Sequence, residues 1–134
     1  MKLRVGILGA TGAVGQKFVA LLTNHPWFEI SALAASERSA GKRYGDVVHW
    51  LEDTPLPSKV AKIEVQNAHE SLLECDFVFS GLDSSVAGQI EETYARAGYP
   101  VISNARNFRM NSDVPLLIPE VNSDHIKLID HQKW

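Results

Sequence analysis

The sequence predicts an α/β fold in which a mainly parallel, doubly wound sheet carries helices on both faces. Three observations lead there. Short apolar runs alternate with stretches of helical spacing, a glycine cluster joins the first run to the first helix, and no internal repeat, low-complexity tract or long like-charge run interrupts the alternation. Lys2 to Leu8 carries Leu3, Val5, Ile7 and Leu8 with little polar interruption, the pattern of a strand buried on both faces. After the glycines, Phe18, Val19, Leu21 and Leu22 recur at helical spacing, and His25-Pro26 ends that helix because a residue before proline is pushed out of the α region. Phe28 to Ala34 reads as the second strand, closing a βαβ unit whose crossover should be right-handed.

From Ser36 to Lys59 the segment reads as a loop, with Gly41, Gly45, Pro55 and Pro57 around a short helix at Asp46 to Leu51. Val60 to Val65 and Phe77 to Phe79 are further strands. Ser84-Ser85 starts a helix with Val86, Ile90, Tyr94 and Ala97 on one face and Gly98 as its C-terminal cap. Pro100 to Ser103 and Leu116 to Ile118 are predicted strands. Asn122 or Ser123 caps a final helix containing Ile126, Leu128 and Ile129. The end at His131-Gln132-Lys133-Trp134, with no strand to follow, gives the expectation of a domain fragment.

A chain of 134 residues, 45% hydrophobic and 22% charged, fits one globular domain. No stretch approaches the roughly 18 apolar residues of a membrane span. Met1-Lys2-Leu3-Arg4 leads into a run broken at once by Gly9, Thr11, Gly12 and Gly15, so no secretory signal is expected. A net charge of −3 with scattered lysines and arginines argues against a nucleic-acid surface. The single Cys75 excludes an intramolecular disulfide, and a cytoplasmic, reducing location is expected.

Gly9-Ala10-Thr11-Gly12-Ala13-Val14-Gly15 is a GxxGxxG variant of the dinucleotide fingerprint, set between a strand and a helix. Glycines there permit a tight turn and let backbone approach a pyrophosphate held against the free amides of the helix N-terminus. The fold is therefore expected to be Rossmann-like. The second strand runs out into Ser36-Glu37-Arg38-Ser39, where Ser36, Arg38 and Ser39 favour a 2′-phosphate and hence NADP; the other reading makes Glu37 a ribose-binding acid and Arg38 a solvated residue. Ser80-Gly81-Leu82 follows a strand at the carboxyl edge of the sheet and is either a plain turn or an approach to the nicotinamide. Ser103-Asn104-Ala105-Arg106-Asn107-Phe108-Arg109 is an anion-binding segment or a solvated loop, and Glu120 either caps a helix or joins a site. Cys75, between Glu74 and Asp76, reads as a structural thiol, since both charges disfavour the thiolate. The five histidines have no metal-ligand spacing, and no metal is predicted.

Together the motifs resemble the N-terminal part of the aspartate-semialdehyde dehydrogenase family, particularly its archaeal and fungal branch. The matching segments are Gly6 to Gly15, Asn24-His25-Pro26, Ser39 to Lys42, Asp76 to Leu82, Ser103 to Arg109 and Val114 to Asn122, so the resemblance covers nearly the whole chain. It implies NADP-dependent reductive dephosphorylation of aspartyl phosphate to aspartate semialdehyde, on the route to lysine, threonine and methionine. It also implies that Thr11, Gly12, Ala13 and Val14 line the pyrophosphate and that Ser36, Arg38 and Ser39 meet the 2′-phosphate. Ser80, Gly81 and Leu82 would border the nicotinamide, Asn104 would lie near cofactor and substrate, and Arg109 would bind the acyl phosphate. Residues 1–134 are expected to form the NADP-binding domain. The cysteine nucleophile, the acid/base histidine and the dimer-forming domain of the family would lie beyond Trp134, so no catalytic residue is expected in the chain, no turnover by it alone, and a homo-oligomer only for the complete enzyme. Related readings are an acyl-CoA reductase of the malonyl-CoA reductase kind and a nonenzymatic dinucleotide-binding module.

Overall fold

The computed structural model describes residues 1–132, and Lys133 and Trp134, the last residues of the expected abrupt ending, lie outside the described residues. Five strands, β1 (Leu3–Leu8), β2 (Phe28–Ala35), β3 (Val65–Asn67), β4 (Phe77–Ser80) and β5 (Val101–Ser103), form one sheet in the order β3-β2-β1-β4-β5. Every pairing in it is parallel, as the apolar strands predict. The two longer helices, α1 (Ala13–Leu22) and α4 (Ser84–Arg96), carry the crossovers after β1 and β4. Short helices α2 (Tyr44–Val47), α3 (Ser58–Ala61) and α5 (Pro119–Asn122) lie in the connections, and a 3-10 segment follows over Ser123–His131.

Strand side chains alternate between faces, and the core divides accordingly. Val5 and Ile7 of β1, Leu33 and Ala35 of β2 and Phe77 of β4 pack with Val19 and Leu22 of α1. Leu8, Ala32, Ala34 and Val78 pack on the other face with Ile90 and Tyr94 of α4. In β2 the phase changes once: Phe28 and Ile30 share the α1 side with Leu33 and Ala35, because the register with β1 slips between Val5 and Gly6. Ser31 is the extra residue, a bulge that turns the rest of the strand over by one position.

Helix ends follow the expected chemistry. α1 stops at Leu22, and Asn24 takes a left-handed φ of 56° ahead of Pro26. Gly98, at φ 92°, ends α4 with paired bonds from Gly98 N to Ala95 O and from Tyr99 N to Tyr94 O.

Four expectations are corrected. The strand expected over Val60 to Val65 is divided: Ser58–Ala61 is helical with Val60 buried, and β3 begins only at Val65. An apolar run this short does not separate strand from helix. The helix expected at Asp46 to Leu51 is the shorter α2, which starts two residues earlier at Tyr44. Leu116 to Ile118 pairs with no strand, because side chains take its backbone groups: Ile118 N donates to Asn122 Oδ1 at 2.7 Å and Asn122 Nδ2 donates to Leu116 O at 2.7 Å. The final helix is a turn of α-helix followed by the 3-10 segment, with no buried residue in either.

At the amino ends of β1 and β4, Arg4 N donates to Asp76 Oδ2 at 2.7 Å and Asp76 N returns a bond to Arg4 O at 2.8 Å. The backbone bond from Arg4, then its guanidinium, hold the Asp76 carboxyl below its ordinary value. A carboxyl whose folded pKa lies below its unfolded one adds stability that is complete above the unfolded value and is lost as pH falls through the folded value. The urea midpoint is therefore expected to fall as pH drops below about 4, and to fall less steeply in Asp76→Asn. Parallel acid limbs for the two proteins would count against this pair.

Candidate functional site

The strand order reverses between β1 and β4, and the loops leaving their carboxyl ends meet there. Such a switch point is where open α/β sheets bind ligands. Gly9 turns the chain at φ 75°, and a Cβ on it would lie 2.9 Å from the Gly81 carbonyl group. A Cβ on Gly81 would lie 3.0 Å from Val14 Cγ1, and one on Gly15 would overlap the Gly9 carbonyl oxygen. Three glycines thus let the β1 loop, the β4 loop and the start of α1 come into backbone contact.

A cleft of about 260 Å³ opens at this junction, and Gly9, Thr11, Gly12, Ser36, Gly81 and Leu82 all line it. Ala13 and Val14 form the first turn of α1 beside it. Gly12 is the N-cap, with no side-chain cap bond and no acidic residue in the first turn. The amides of Thr11, Ala13 and Val14 have no hydrogen-bond partner among the described residues. α4 begins differently: Asp83, also on the cleft wall, accepts from Ser85 N at 2.9 Å. One helix start is closed by its own side chain while the other is left open to an anion.

Ser36 closes the end of β2, and its carbonyl accepts from Ser39 N at 3.0 Å and Ala40 N at 3.2 Å, so residues 36–40 fold into a turn at the cleft rim. Arg38 is exposed on that turn, and its guanidinium has no partner among the described residues. Glu37 is exposed beside it.

Not every expected residue faces the cleft. Ser80 is fully buried beneath it, its hydroxyl donating to Glu91 Oε2 of α4 at 2.6 Å. The Ser103 hydroxyl donates to the same oxygen at 2.5 Å. Asn104 is exposed past the end of β5, with its N–H on Ser80 O at 3.0 Å and its carbonyl accepting from Arg109 Nη2 at 2.8 Å. Asn107 Nδ2 donates to Ser84 O at 2.9 Å, which ties the 103–109 segment to the start of α4. That segment presents exposed Arg106 and Arg109 on the same edge of the sheet as the glycine turn.

Sequence reasoning missed the supports of this site. Tyr44 Oη donates to Ala10 O at 2.6 Å, and Gln16 Nε2 donates to Thr11 O at 3.0 Å. Burial pushes the Tyr44 phenol well above its ordinary value, so it stays a neutral donor. Gln16 shares the buried stripe of α1 with Val19 and Leu22, and Glu91 that of α4 with Ala87 and Tyr94. A polar residue in register with an apolar stripe was the available signal for both.

Cys75 precedes β4 and so lies at the opposite end of that strand from Gly81. Burial pushes its thiol up, Asp76 adds to the rise, and the Gly6 backbone and Arg4 oppose it. The rise owes more to burial than to the flanking charges that the sequence pointed to. Among the described residues, no group of three or more His, Cys, Asp or Glu is placed to hold a metal ion, and no helix is long and apolar enough to cross a membrane.

The sequence model of the family described as "Semialdehyde dehydrogenase, NAD binding domain" matches residues 4–129. Aspartate-semialdehyde dehydrogenase of Candida albicans is 50% identical over 131 residues, covering 96% of this chain and 36% of that protein. The enzyme of Archaeoglobus fulgidus is 48% identical over 133 residues, covering 99% of this chain and 39% of that protein. The chain therefore spans little more than a third of the length of these relatives. The crystal structure of the Candida albicans enzyme with NADP superposes with a TM-score of 0.92 at 50% identity, over 98% of this chain and 37% of that one. Aspartate-semialdehyde dehydrogenase II of Vibrio cholerae gives a TM-score of 0.76 at 29% identity, over 98% of this chain and 40% of that one.

Proposed function

This chain belongs to the semialdehyde dehydrogenase family as its NAD-binding domain, and from that premise we propose that residues 1–134 hold NADP for an aspartate-semialdehyde dehydrogenase. The observation that carries the reading is the open start of α1 at the switch point, where amides unpartnered among the described residues and three glycines leave room for a pyrophosphate. The fit extends to the rim, where Ser36 and the guanidinium of Arg38, unpartnered among the described residues, suit a 2′-phosphate.

In this reading Thr11, Gly12, Ala13 and Val14 meet the pyrophosphate through backbone, and Gly9 lets the turn pass beneath it. Ser36, Arg38 and Ser39 take the 2′-phosphate, and Gly81 and Leu82 border the nicotinamide. Ser80 acts from below, because its hydroxyl belongs to Glu91. An extended dinucleotide exceeds a cleft of about 260 Å³ and lies across the strand ends. When bound, the cofactor supplies a hydride. Asn104 and Arg109, on the same edge of the sheet, are proposed to face the acyl phosphate, aspartyl phosphate being the substrate of the complete enzyme and aspartate semialdehyde its product. Arg109 presents a fork of donors matched to phosphate oxygens. No residue of this chain is assigned a catalytic role, and Cys75 is at the wrong end of β4 for one. Cytoplasmic location, homo-oligomeric assembly of the complete enzyme and service to lysine, threonine and methionine synthesis belong to the same proposal.

Calorimetric titration with NADPH and NADH tests the reading. NADPH is expected to bind more tightly, and Arg38→Ala to weaken NADPH about tenfold, since a charge-assisted bond contributes roughly 1.5–3 kcal/mol, while leaving NADH unchanged. Absence of binding by either nucleotide would overturn the proposal, and tighter binding of NADH would move it to Glu37 and NAD.

A further inference from the structure

Two buried side chains hold the glycine turn from behind, and neither lines the cleft. Tyr44 is fully buried in α2, and its hydroxyl sits 2.6 Å from Ala10 O. Gln16, 1% exposed, uses Nε2 for Thr11 O and for His49 O, each at 3.0 Å, while its Oε1 accepts from Leu51 N at 2.7 Å. The turn is thereby fastened to the 44–51 segment at two successive carbonyls.

Peptide geometry makes that fastening directional. No cis peptide occurs among the described residues, and in a trans peptide the carbonyl of one residue and the N–H of the next point to opposite sides. With Ala10 O drawn inward by Tyr44, the Thr11 N–H is turned away from the core, and it has no partner among the described residues. With Thr11 O drawn toward Gln16, the Gly12 N–H is turned the other way and closes on Gly9 O at 3.2 Å. The Gly9 and Ala10 amides are taken by Ala34 O of β2, and the directions of the next two, Thr11 N–H outward and Gly12 N–H onto Gly9 O, follow the pull of these two side chains.

We propose that Tyr44 and Gln16 are positioning residues that aim the glycine-turn amides at the pyrophosphate of the bound dinucleotide. The proposal rests on the nucleotide reading above and adds to it the group that orients the turn. Removing the Tyr44 hydroxyl keeps the ring in the core but leaves Ala10 O without its donor, so the Ala10–Thr11 peptide is free to rotate. Binding then loses orientation only where a ligand uses that peptide.

The test compares two ligands in the wild-type chain and in Tyr44→Phe by calorimetry: NADPH, which contains a pyrophosphate, and adenosine 2′-monophosphate, which does not. Tyr44→Phe is expected to weaken NADPH about tenfold, the equivalent of roughly 1.4 kcal/mol, and to change adenosine 2′-monophosphate by less than about twofold. Gln16→Met, which removes the donor to Thr11, is expected to show the same selectivity, and it decides the matter should circular dichroism show Tyr44→Phe unfolded. Unchanged NADPH affinity in a folded variant overturns the proposal, and so does equal weakening of both ligands, which is what general damage produces. A wild-type chain that binds neither ligand overturns the nucleotide reading itself.

Discussion

Gly15→Ala is expected to destabilise the chain by about 3 kcal/mol, the upper part of the range for overpacking, and to remove measurable NADPH binding. Two effects compete. Gly15 lies within α1, where alanine is the better helix former by about 1 kcal/mol. Against that, the new Cβ would overlap the Gly9 carbonyl oxygen and come within 2.7 Å of Ala10 Cα. Both obstacles are backbone atoms of the turn, so no side chain can swing aside, and α1 would have to move off β1. The clash wins. Gly12→Ala is the matched control, because its Cβ meets only Gly9 O at an ordinary 3.6 Å. Urea denaturation of both variants checks the contrast, and equal midpoints would show that the close approach at Gly15 carries no weight.

Glu91→Ala is expected to reduce stability by a similar amount, about 3 kcal/mol, from two lost hydrogen bonds and the cavity left behind. Its Oε2 is the shared acceptor for Ser80 and Ser103, which end β4 and β5, so one carboxyl group joins two strand ends to α4. Glu91→Gln should recover most of the loss, because an amide oxygen still offers two acceptor positions. Alanine and glutamine variants of equal stability would contradict this account.

The helices and strands that were legible in the sequence are those whose burial follows a period. β1, β2 and β4 are apolar on both faces because helices cover both, and α1 and α4 carry single stripes. The glycine turn was legible because its residue types serve backbone geometry alone. The segment after β2 was not: α2 and α3 are one turn each, too short for a period, and Tyr44 is buried there by contacts that come from Ala10 in a distant part of the sequence. Leu116 to Ile118 misled for a related reason, since an apolar triplet announces burial or pairing but does not say that Asn122 will take its backbone groups. At the site, the glycine-turn residues that line the cleft were picked out by motif. Of the side chains that hold that backbone in place, Gln16 and Glu91 left one sign in the sequence, a polar residue in register with an apolar stripe, whereas Tyr44 is visible only once the elements are assembled.

The contact of Gly9 with Gly81 separates two kinds of change open to this domain. Where main chain rests on main chain, the approach of the two loops leaves no room for a side chain between them, so substitution at either glycine has no gradual way to alter it. The turn at residues 36–40 is under no such constraint: Ser36, Glu37 and Arg38 are exposed, and its backbone is held at its two ends, by the bonds onto Ser36 O and by Gly41 N on Val65 O of β3. If the proposed nucleotide reading holds, preference between phosphorylated and unphosphorylated ribose can therefore be rewritten at the rim, by evolution or by engineering, without disturbing where the rest of the ligand lies.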